Sequence, residues 1–149
     1  GRLAQSIGMF CWVCVVDEFQ HFVFEKPEIT PRQRDEKWLE LIDTYLAPVD
    51  YSGYEKYRKL SWYGQSHIFV SPFYYIDYAL AEVCALQLAD IAKADESRSL
   101  ETFFKMARLG GTKSFIEAIE YGGLRSPFDE NVIKQLAGFL SERLRLKAQ

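Results

Sequence analysis

One histidine and three tyrosines, all within a single twelve-residue segment, are the residues of this sequence best suited to chemistry. They are His67, Tyr74, Tyr75 and Tyr78. Tyr74 and Tyr75 lie four and three positions before Tyr78, a spacing that places side chains on one side of a helix. Converging phenol hydroxyls can donate hydrogen bonds to a peptide carbonyl, and donors aimed at a developing oxyanion contribute strongly to acyl-transfer catalysis. The alternative is that these tyrosines are amphipathic core residues whose hydroxyls reach water.

Two acidic groups could act together with the histidines. Asp77 could orient His67 or a tyrosine, although an acidic residue near a helix N-terminus often only complements the helix dipole. Glu18 and His21 lie three positions apart on a predicted helical face and could form an active pair or two metal ligands. Because no further ligand accompanies them, we favour a structural hydrogen bond for this pair.

The sequence contains no recognisable metal site. His21 and His67 are its two histidines, and neither begins an H-E-x-x-H motif. Cys11 and Cys14 form a C-x-x-C motif, but no second pair or nearby histidine completes a zinc site. We therefore predict that the chain supplies no metal ligands, and that Cys11, Cys14 and Cys84 are packed, reduced thiols of a cytoplasmic protein.

Composition and charge narrow the class of protein. The 149 residues, 48% of them hydrophobic, suffice for one ordinary domain with a sizeable core. The net charge is −3, and 18 basic residues are scattered among 21 acidic ones, so a nucleic acid is not an expected partner. The longest uncharged apolar run, residues 7–16, has about half the length that crosses a bilayer, so we expect no membrane partner either.

Apolar residues recur at helical spacing along the sequence, and strand-type alternation is absent from it. We therefore predict an all-α fold, a helical bundle of one domain covering residues 1–149. The first helix should span residues 3–24, and a capping box in residues 30–33 should open the second. A third helix, over residues 71–92, carries few charges and is predicted to be the most buried.

Turn and cap signals divide the rest of the chain. Residues 49–66 contain many aromatic residues and no clear period, so we expect an ordered connection with helical turns of its own. A helix over residues 100–109 should end at a glycine pair, and a capping box in residues 114–117 should open a short helix. The last helix should begin at residues 126–127. The side chains that it should bury are Val132, Ile133, Leu136, Phe139, Leu140 and Leu144.

Two long motifs connect these observations to a known family. Residues 67–81, His-Ile-Phe-Val-Ser-Pro-Phe-Tyr-Tyr-Ile-Asp-Tyr-Ala-Leu-Ala, resemble the H-x-x-x-x-P-F-Y-Y-I-D-Y-x-L-A segment of oligoendopeptidase F-type peptidases, which are relatives of thimet oligopeptidase. Residues 16–27 resemble their V-D-E-F-Q-H-x-V-Y-E-x-P segment, and residues 37–41 and 110–113 fit the helix and glycine turn that follow. The resemblance runs through most of the chain, in order and at compatible spacing.

The resemblance implies a zinc metallopeptidase that hydrolyses short peptides, of which this chain is the helical C-terminal part. That family holds zinc with H-E-x-x-H and a later glutamate, which this chain lacks, so the fragment alone is expected to be inactive. By the same resemblance His67 would bind the substrate backbone, while Tyr78, with Tyr75, would supply hydroxyls to the scissile carbonyl or its tetrahedral intermediate. Tyr74 is the third candidate, because thimet-type relatives have a glycine-rich loop where this chain has residues 69–72.

The partners that the resemblance implies are short peptide substrates and the remainder of the peptidase domain. A non-catalytic alternative is a helical module that binds a peptide or a partner helix in an aromatic groove. A third possibility is a purely structural bundle whose tyrosines are satisfied internally.

Overall fold

The structure, a computed structural model, describes residues 2–144 and divides into two compact units, the first ending at Ala79 and the second beginning at Leu80. Within the described residues every regular element is helical, so the all-α prediction is confirmed. A short 3-10 helix, Ser61–Gly64, follows the third of the eight α-helices. The α-helices are α1 (Arg2–Glu25), α2 (Pro31–Tyr45), α3 (Glu55–Lys59), α4 (His67–Val70), α5 (Ile76–Ala94), α6 (Glu96–Ala107), α7 (Phe115–Gly122) and α8 (Glu130–Leu144).

The core of the first unit forms where α1 packs against α2. The side chain of Thr30 caps α2 by accepting a hydrogen bond from the backbone of Gln33, whose own side chain accepts from the Thr30 backbone, so the predicted capping box is confirmed. Trp38 lies edge-on to Phe19, with ring centroids 5.0 Å apart. The buried side chains of this core are Val15, Val16, Phe19, Trp38, Leu41, Ile42, Trp62 and Ile68.

Two indole groups tie α2 to the connection that follows it. The N–H of Trp38 donates to the hydroxyl of Ser61 over 2.8 Å, and that of Trp62 donates to the carboxylate of Asp35 over 3.1 Å. Burying an indole in this way keeps its polar atom satisfied. Residues 49–66 are therefore an ordered connection that contains α3 and the 3-10 helix, as predicted.

The third predicted helix was placed wrongly at its start. We predicted that it begins at Ser71, but α5 begins at Ile76, because the backbone turns at Phe73, whose φ of 63° is left-handed and incompatible with a right-handed helix. It is also not the most buried helix. Residues with no exposure at all, such as Val15 and Phe19, lie on α1, whereas the buried residues of α5 each keep a small exposed fraction. The small number of charged residues in α5 led to the prediction that it is the most buried helix. The side chains that pack against Trp38 of α2 come instead from α1.

In the second unit, α6 and α7 approach each other closely. A Cβ on Gly122 would lie 2.4 Å from Cγ of Met106, so a side chain at this position would require Met106 to move. The predicted capping box of Ser114 and Glu117 opens α7, and Gly123 ends it with a left-handed φ of 93°. The predicted capping box is confirmed.

Two helix starts in the second unit differ from the predictions. The α6 helix begins at Glu96 instead of Leu100, because the side chain of Asp95 caps it by accepting from the backbone of Arg98. The α8 helix begins at Glu130 instead of residues 126–127, because a turn precedes it and the Asp129 carboxylate accepts from a backbone N–H of the first turn over 2.8 Å.

The buried face of α8 was predicted largely correctly. Ile133 is the exception, since it is exposed, and Leu144 is half-buried. The side chains confirmed as buried are Val132, Leu136, Phe139 and Leu140.

The cysteines are free thiols, but only Cys84 is buried. Cys11 is half-buried and Cys14 is exposed, so the prediction that all three pack in the core is wrong for Cys14, because α1 directs its neighbours Val13 and Val15 into the core instead. Desolvation, and then the neighbouring Cys11, raise the pKa of the Cys14 thiol. A reactive C-x-x-C pair requires the opposite shift.

By length and composition, residues Leu3–Glu25 of α1 could cross a membrane, and no other helix of the described part could. Only 28% of the most apolar window of this helix is buried. Core helices of soluble proteins share this length and composition, so these features of α1 do not show that it crosses a membrane.

Candidate functional site

The histidine and the three tyrosines singled out in the sequence come together in the first unit. The ring of His67 lies 4.8 Å from that of Tyr75, 5.8 Å from that of Tyr78 and 6.3 Å from that of Tyr74, measured between centroids. The Tyr78 ring is in turn 5.6 Å from Tyr74 and 5.2 Å from Tyr75. We call these four residues the His67–tyrosine cluster.

A tight turn, and not one helical face, brings the tyrosines together. His67 begins the single turn of α4. Tyr74 and Tyr75 precede α5, so that of the three tyrosines only Tyr78 lies on a helix. The backbone N–H of Asp77 donates to the carbonyl of Tyr74 over 3.0 Å, and that of Tyr78 donates to Tyr75 over 3.3 Å. The spacing of three and four residues therefore predicted correctly that Tyr74 and Tyr75 lie near Tyr78. This turn brings residues three apart together, as the first turn of a helix does.

Helix α1 contacts the turn before α5 through the side chain of Gln20. The side chain of Gln20 is fully buried, and its carbonyl oxygen accepts a hydrogen bond of 2.8 Å from the backbone N–H of Phe73. The Phe73 ring packs near His21 and Phe24 of the same helix, at centroid distances of 5.1 and 5.2 Å. A left-handed conformation at a non-glycine residue is unfavourable by itself, so these contacts stabilise it. The sequence analysis did not identify Gln20. A glutamine among the apolar residues of a predicted buried helix could have indicated it, because a buried amide needs a hydrogen-bond partner.

The tyrosines of the cluster differ in exposure. Tyr74 and Tyr78 are 49% and 44% exposed, so their rings are open to a ligand, whereas Tyr75 is half-buried. Desolvation, and then the nearby Tyr78, raise the pKa of Tyr75, while the indole N–H of Trp12 opposes that shift. A phenol with a raised pKa stays protonated near neutral pH, so Tyr75 remains a hydrogen-bond donor.

A second glutamine that the sequence did not single out contacts His67 directly. The amide nitrogen of Gln65 lies 2.9 Å from Nδ1 of His67, and its amide oxygen accepts a hydrogen bond of 3.1 Å from the indole N–H of Trp12. Trp12 therefore adjoins the cluster at two points, through Gln65 and through Tyr75.

The two acidic groups considered with the histidines lie elsewhere. Asp77 is exposed in the first turn of α5, and in the described part of the chain it forms no side-chain contact with the cluster. Glu18 does not pair with His21, so that predicted hydrogen bond is wrong. Glu18 instead accepts from the hydroxyl of Tyr45 over 2.8 Å, which lowers the pKa of Glu18, and it pairs with Lys37 at 3.2 Å.

His21 lies between two other carboxylates, one helical turn to either side. Its ring nitrogens are 3.6 Å from Asp17 and 3.7 Å from Glu25. Both contacts lie on α1, where His21 and Glu25 are exposed. Among residues 2–144, no group of three histidine, cysteine or acidic side chains is arranged to hold a metal ion.

Solved structures of peptidases are similar to this chain. An oligoendopeptidase F structure is 33% identical with a TM-score of 0.84 and matches 98% of this chain. PZ peptidase A, solved with an inhibitor, is 34% identical with a TM-score of 0.90 over 97% of this chain. An oligoendopeptidase F from Bacillus anthracis strain Ames is 31% identical with a TM-score of 0.75 over 98%.

The resemblance to oligoendopeptidase F-type peptidases is thereby confirmed over nearly the whole chain. The chain spans only 26%, 26% and 23% of the length of these three structures, respectively, which fits the predicted C-terminal part of a larger peptidase. No protein-family model matches the sequence, and no curated protein matches it significantly.

Proposed function

We propose that this chain is the substrate-binding, C-terminal helical part of a zinc-dependent oligoendopeptidase that hydrolyses short peptides. The convergence of His67 with three tyrosines carries the proposal, because it gathers several neutral donors on a surface open to a ligand. The similarity of the chain to peptidases of known structure supports the reaction class.

Each residue of the His67–tyrosine cluster has a separate task in this proposal. His67 binds a backbone carbonyl of the peptide and so fixes its position. Tyr78, with Tyr75, donates a hydroxyl hydrogen bond to the oxygen of the scissile carbonyl, which becomes negative as the tetrahedral intermediate forms. Tyr74 lies at the edge of the cluster and contacts the peptide farther from the reacting bond.

Zinc, which the resemblance implies, does not fit the residues of this chain. The described residues provide no group of three metal-binding side chains. One histidine lies between Asp17 and Glu25, and the other, His67, directs Nδ1 at Gln65. We propose that other parts of the complete peptidase bind the metal, and that the fragment alone holds no zinc and has no activity.

The surroundings in the complete protein follow from the same proposal. Only part of the apolar helix α1 is buried within this chain, and the remainder of the peptidase domain would cover more of it. Free thiols suit a reducing compartment, so we propose a cytoplasmic peptidase. Its partners are short peptides, and neither a nucleic acid nor a membrane.

The substitution Tyr78→Phe in the complete peptidase tests the proposal. It removes one hydroxyl and keeps the ring, so kcat should fall roughly a hundredfold, about 2.7 kcal/mol, with little change in KM. The measurement is steady-state hydrolysis of a quenched fluorescent peptide, with the melting temperature recorded beside it. Tyr57→Phe is the matched control, because Tyr57 is 72% exposed and lies outside the cluster. A folded Tyr78→Phe enzyme with unchanged kcat would transfer the role to Tyr75 or Tyr74.

A second candidate function is a helical module that binds peptides or a protein without cleaving them. Exposed aromatic residues on and beside the connection 49–66 favour this reading, since such residues are typical of interaction surfaces. They are Tyr54, Tyr57, Tyr63 and Phe69. An H-E-x-x-H motif in the remainder of the polypeptide would support the enzyme, whereas peptide binding by a polypeptide without that motif would support the module.

A further inference from the structure

We propose that Gln65, oriented by Trp12, is a positioning residue that fixes His67 as the tautomer protonated on Nε2. In this state His67 offers a hydrogen-bond donor to a carbonyl of the peptide and cannot accept a hydrogen bond there. The tautomer stands on the geometry of the chain alone. The identification of a peptide carbonyl as the group that accepts this hydrogen bond rests on the function proposed above.

Trp12 determines which way the amide of Gln65 faces. The indole nitrogen can only donate a hydrogen bond, and it lies 3.1 Å from Oε1 of Gln65. If the amide were reversed, its NH2 group would face the indole N–H, and the hydrogen bond between Trp12 and Gln65 would be lost, because two donors would then face each other. The oxygen of Gln65 therefore faces Trp12, and its nitrogen faces the other way.

The nitrogen of the oriented amide determines the tautomer of His67. Nε2 of Gln65 lies 2.9 Å from Nδ1 of His67, and an amide nitrogen only donates. Nδ1 must then accept, so it carries no proton. A neutral imidazole has one N–H group, which is consequently on Nε2. The alternative tautomer would place an N–H against the amide NH2 and lose this hydrogen bond.

The proton on Nε2 is directed to a ligand and not into the protein. Within residues 2–144, Nε2 of His67 has no hydrogen-bonding partner, and the ring is half-buried beside Tyr75 and Tyr78. The cluster thus presents an imidazole N–H and phenol O–H groups together, a set of neutral donors. A peptide backbone, whose carbonyl oxygens accept, matches that set.

Nitrogen NMR of the full chain tests the tautomer. Chemical shifts of 15N distinguish protonated from unprotonated ring nitrogens, and they would be read at a pH where the spectrum shows His67 to be neutral. We expect the proton on Nε2 in the wild type. Gln65→Glu should reverse the tautomer, because a carboxylate accepts from Trp12 and also from Nδ1–H. Gln65→Met, which neither accepts nor donates strongly, should give a mixture, and it covers the case that the glutamate variant does not fold.

Gln87→Glu is the matched control in the second unit. Its amide likewise bridges two groups, the backbone N–H and carbonyl of Arg125, so the same chemical change is made away from the His67–tyrosine cluster. The His67 spectrum should not change in this variant. A wild type protonated on Nδ1, or an unchanged tautomer in both Gln65 variants, would overturn the proposal.

Kinetics of the complete peptidase test the ligand. Gln65→Glu should lower kcat/KM about tenfold, the cost of roughly one hydrogen bond, and Gln65→Met should lower it less. An inactive wild type would refute the proposed function and leave the tautomer result standing. An active peptidase whose Gln65→Glu variant reverses the tautomer at unchanged kcat/KM would refute the donor role of His67.

Discussion

The two units of this chain use different kinds of hydrogen bond between residues that are distant in sequence. In the first unit these bonds are buried or half-buried, apart from the exposed pair Arg58–Asp43, whereas in the second unit most of them are exposed. The buried and half-buried pairs are Trp12–Gln65, Trp38–Ser61, Trp62–Asp35, Tyr45–Glu18 and Gln20–Phe73. The exposed pairs are Lys93–Glu142, Gln135–Asp90 and Gln87–Arg125.

This difference explains why the candidate site lies in the first unit. A buried hydrogen bond fixes the relative position of the two groups that it joins, because breaking it leaves a polar group with neither water nor another partner. An exposed pair exchanges readily with water and contributes little to stability. Side chains that must meet a substrate at fixed distances are therefore better placed among the buried bonds. The predictions below test this contrast.

The largest effect is expected from Trp38→Ala. Trp38 is fully buried, packs edge-on against Phe19 and Trp12, and donates to Ser61. Its removal leaves a cavity and breaks the hydrogen bond to Ser61, so the free energy of unfolding should fall by about 3–5 kcal/mol in denaturant titration. Phe103→Ala removes an exposed aromatic ring of the second unit and should cost less than about 1 kcal/mol. Equal losses would show that the contrast between the units is unfounded.

An intermediate effect is expected from Gln20→Met, which keeps the length of the side chain and removes the acceptor. The backbone N–H of Phe73 would lose its partner, so unfolding should become easier by about 1–3 kcal/mol. Hydrogen exchange of the Phe73 amide should accelerate in proportion. Gln87→Met is the control in the second unit, and because the bonds of Gln87 are exposed, its effect should stay within about 0.5 kcal/mol. Unchanged exchange at Phe73 would show that Gln20 does not hold the turn.

The smallest effects are expected from the two capping boxes, one in each unit. Thr30→Ala and Ser114→Ala each remove a side-chain oxygen that accepts from a helix N-terminus, so each should cost about 1 kcal/mol. Because a cap is local to its own helix, the two losses should agree within a factor of two, as measured by the change in melting temperature. If only one of the two substitutions lowered the melting temperature, the two units would differ in the stability of their helix caps as well.

Much of the fold could be predicted because the signals that define it are local. The capping boxes at Thr30 and Ser114 were predicted correctly, since each depends on residues within four positions. The predicted starts of α6 and α8 were wrong because Asp95 and Asp129 compete with later residues as caps, and local rules do not rank such competitors.

The sequence by itself determined the all-α class, the resemblance to peptidases and the four residues of the His67–tyrosine cluster, because spacing and motif letters lie along the chain. Only the tertiary structure decided how those residues meet. Gln20 reaches Phe73, and Trp12 reaches Gln65, each across a separation of 53 positions. No periodicity specifies which distant side chain completes a hydrogen bond, since that choice is made when the helices pack and bring distant donors and acceptors together.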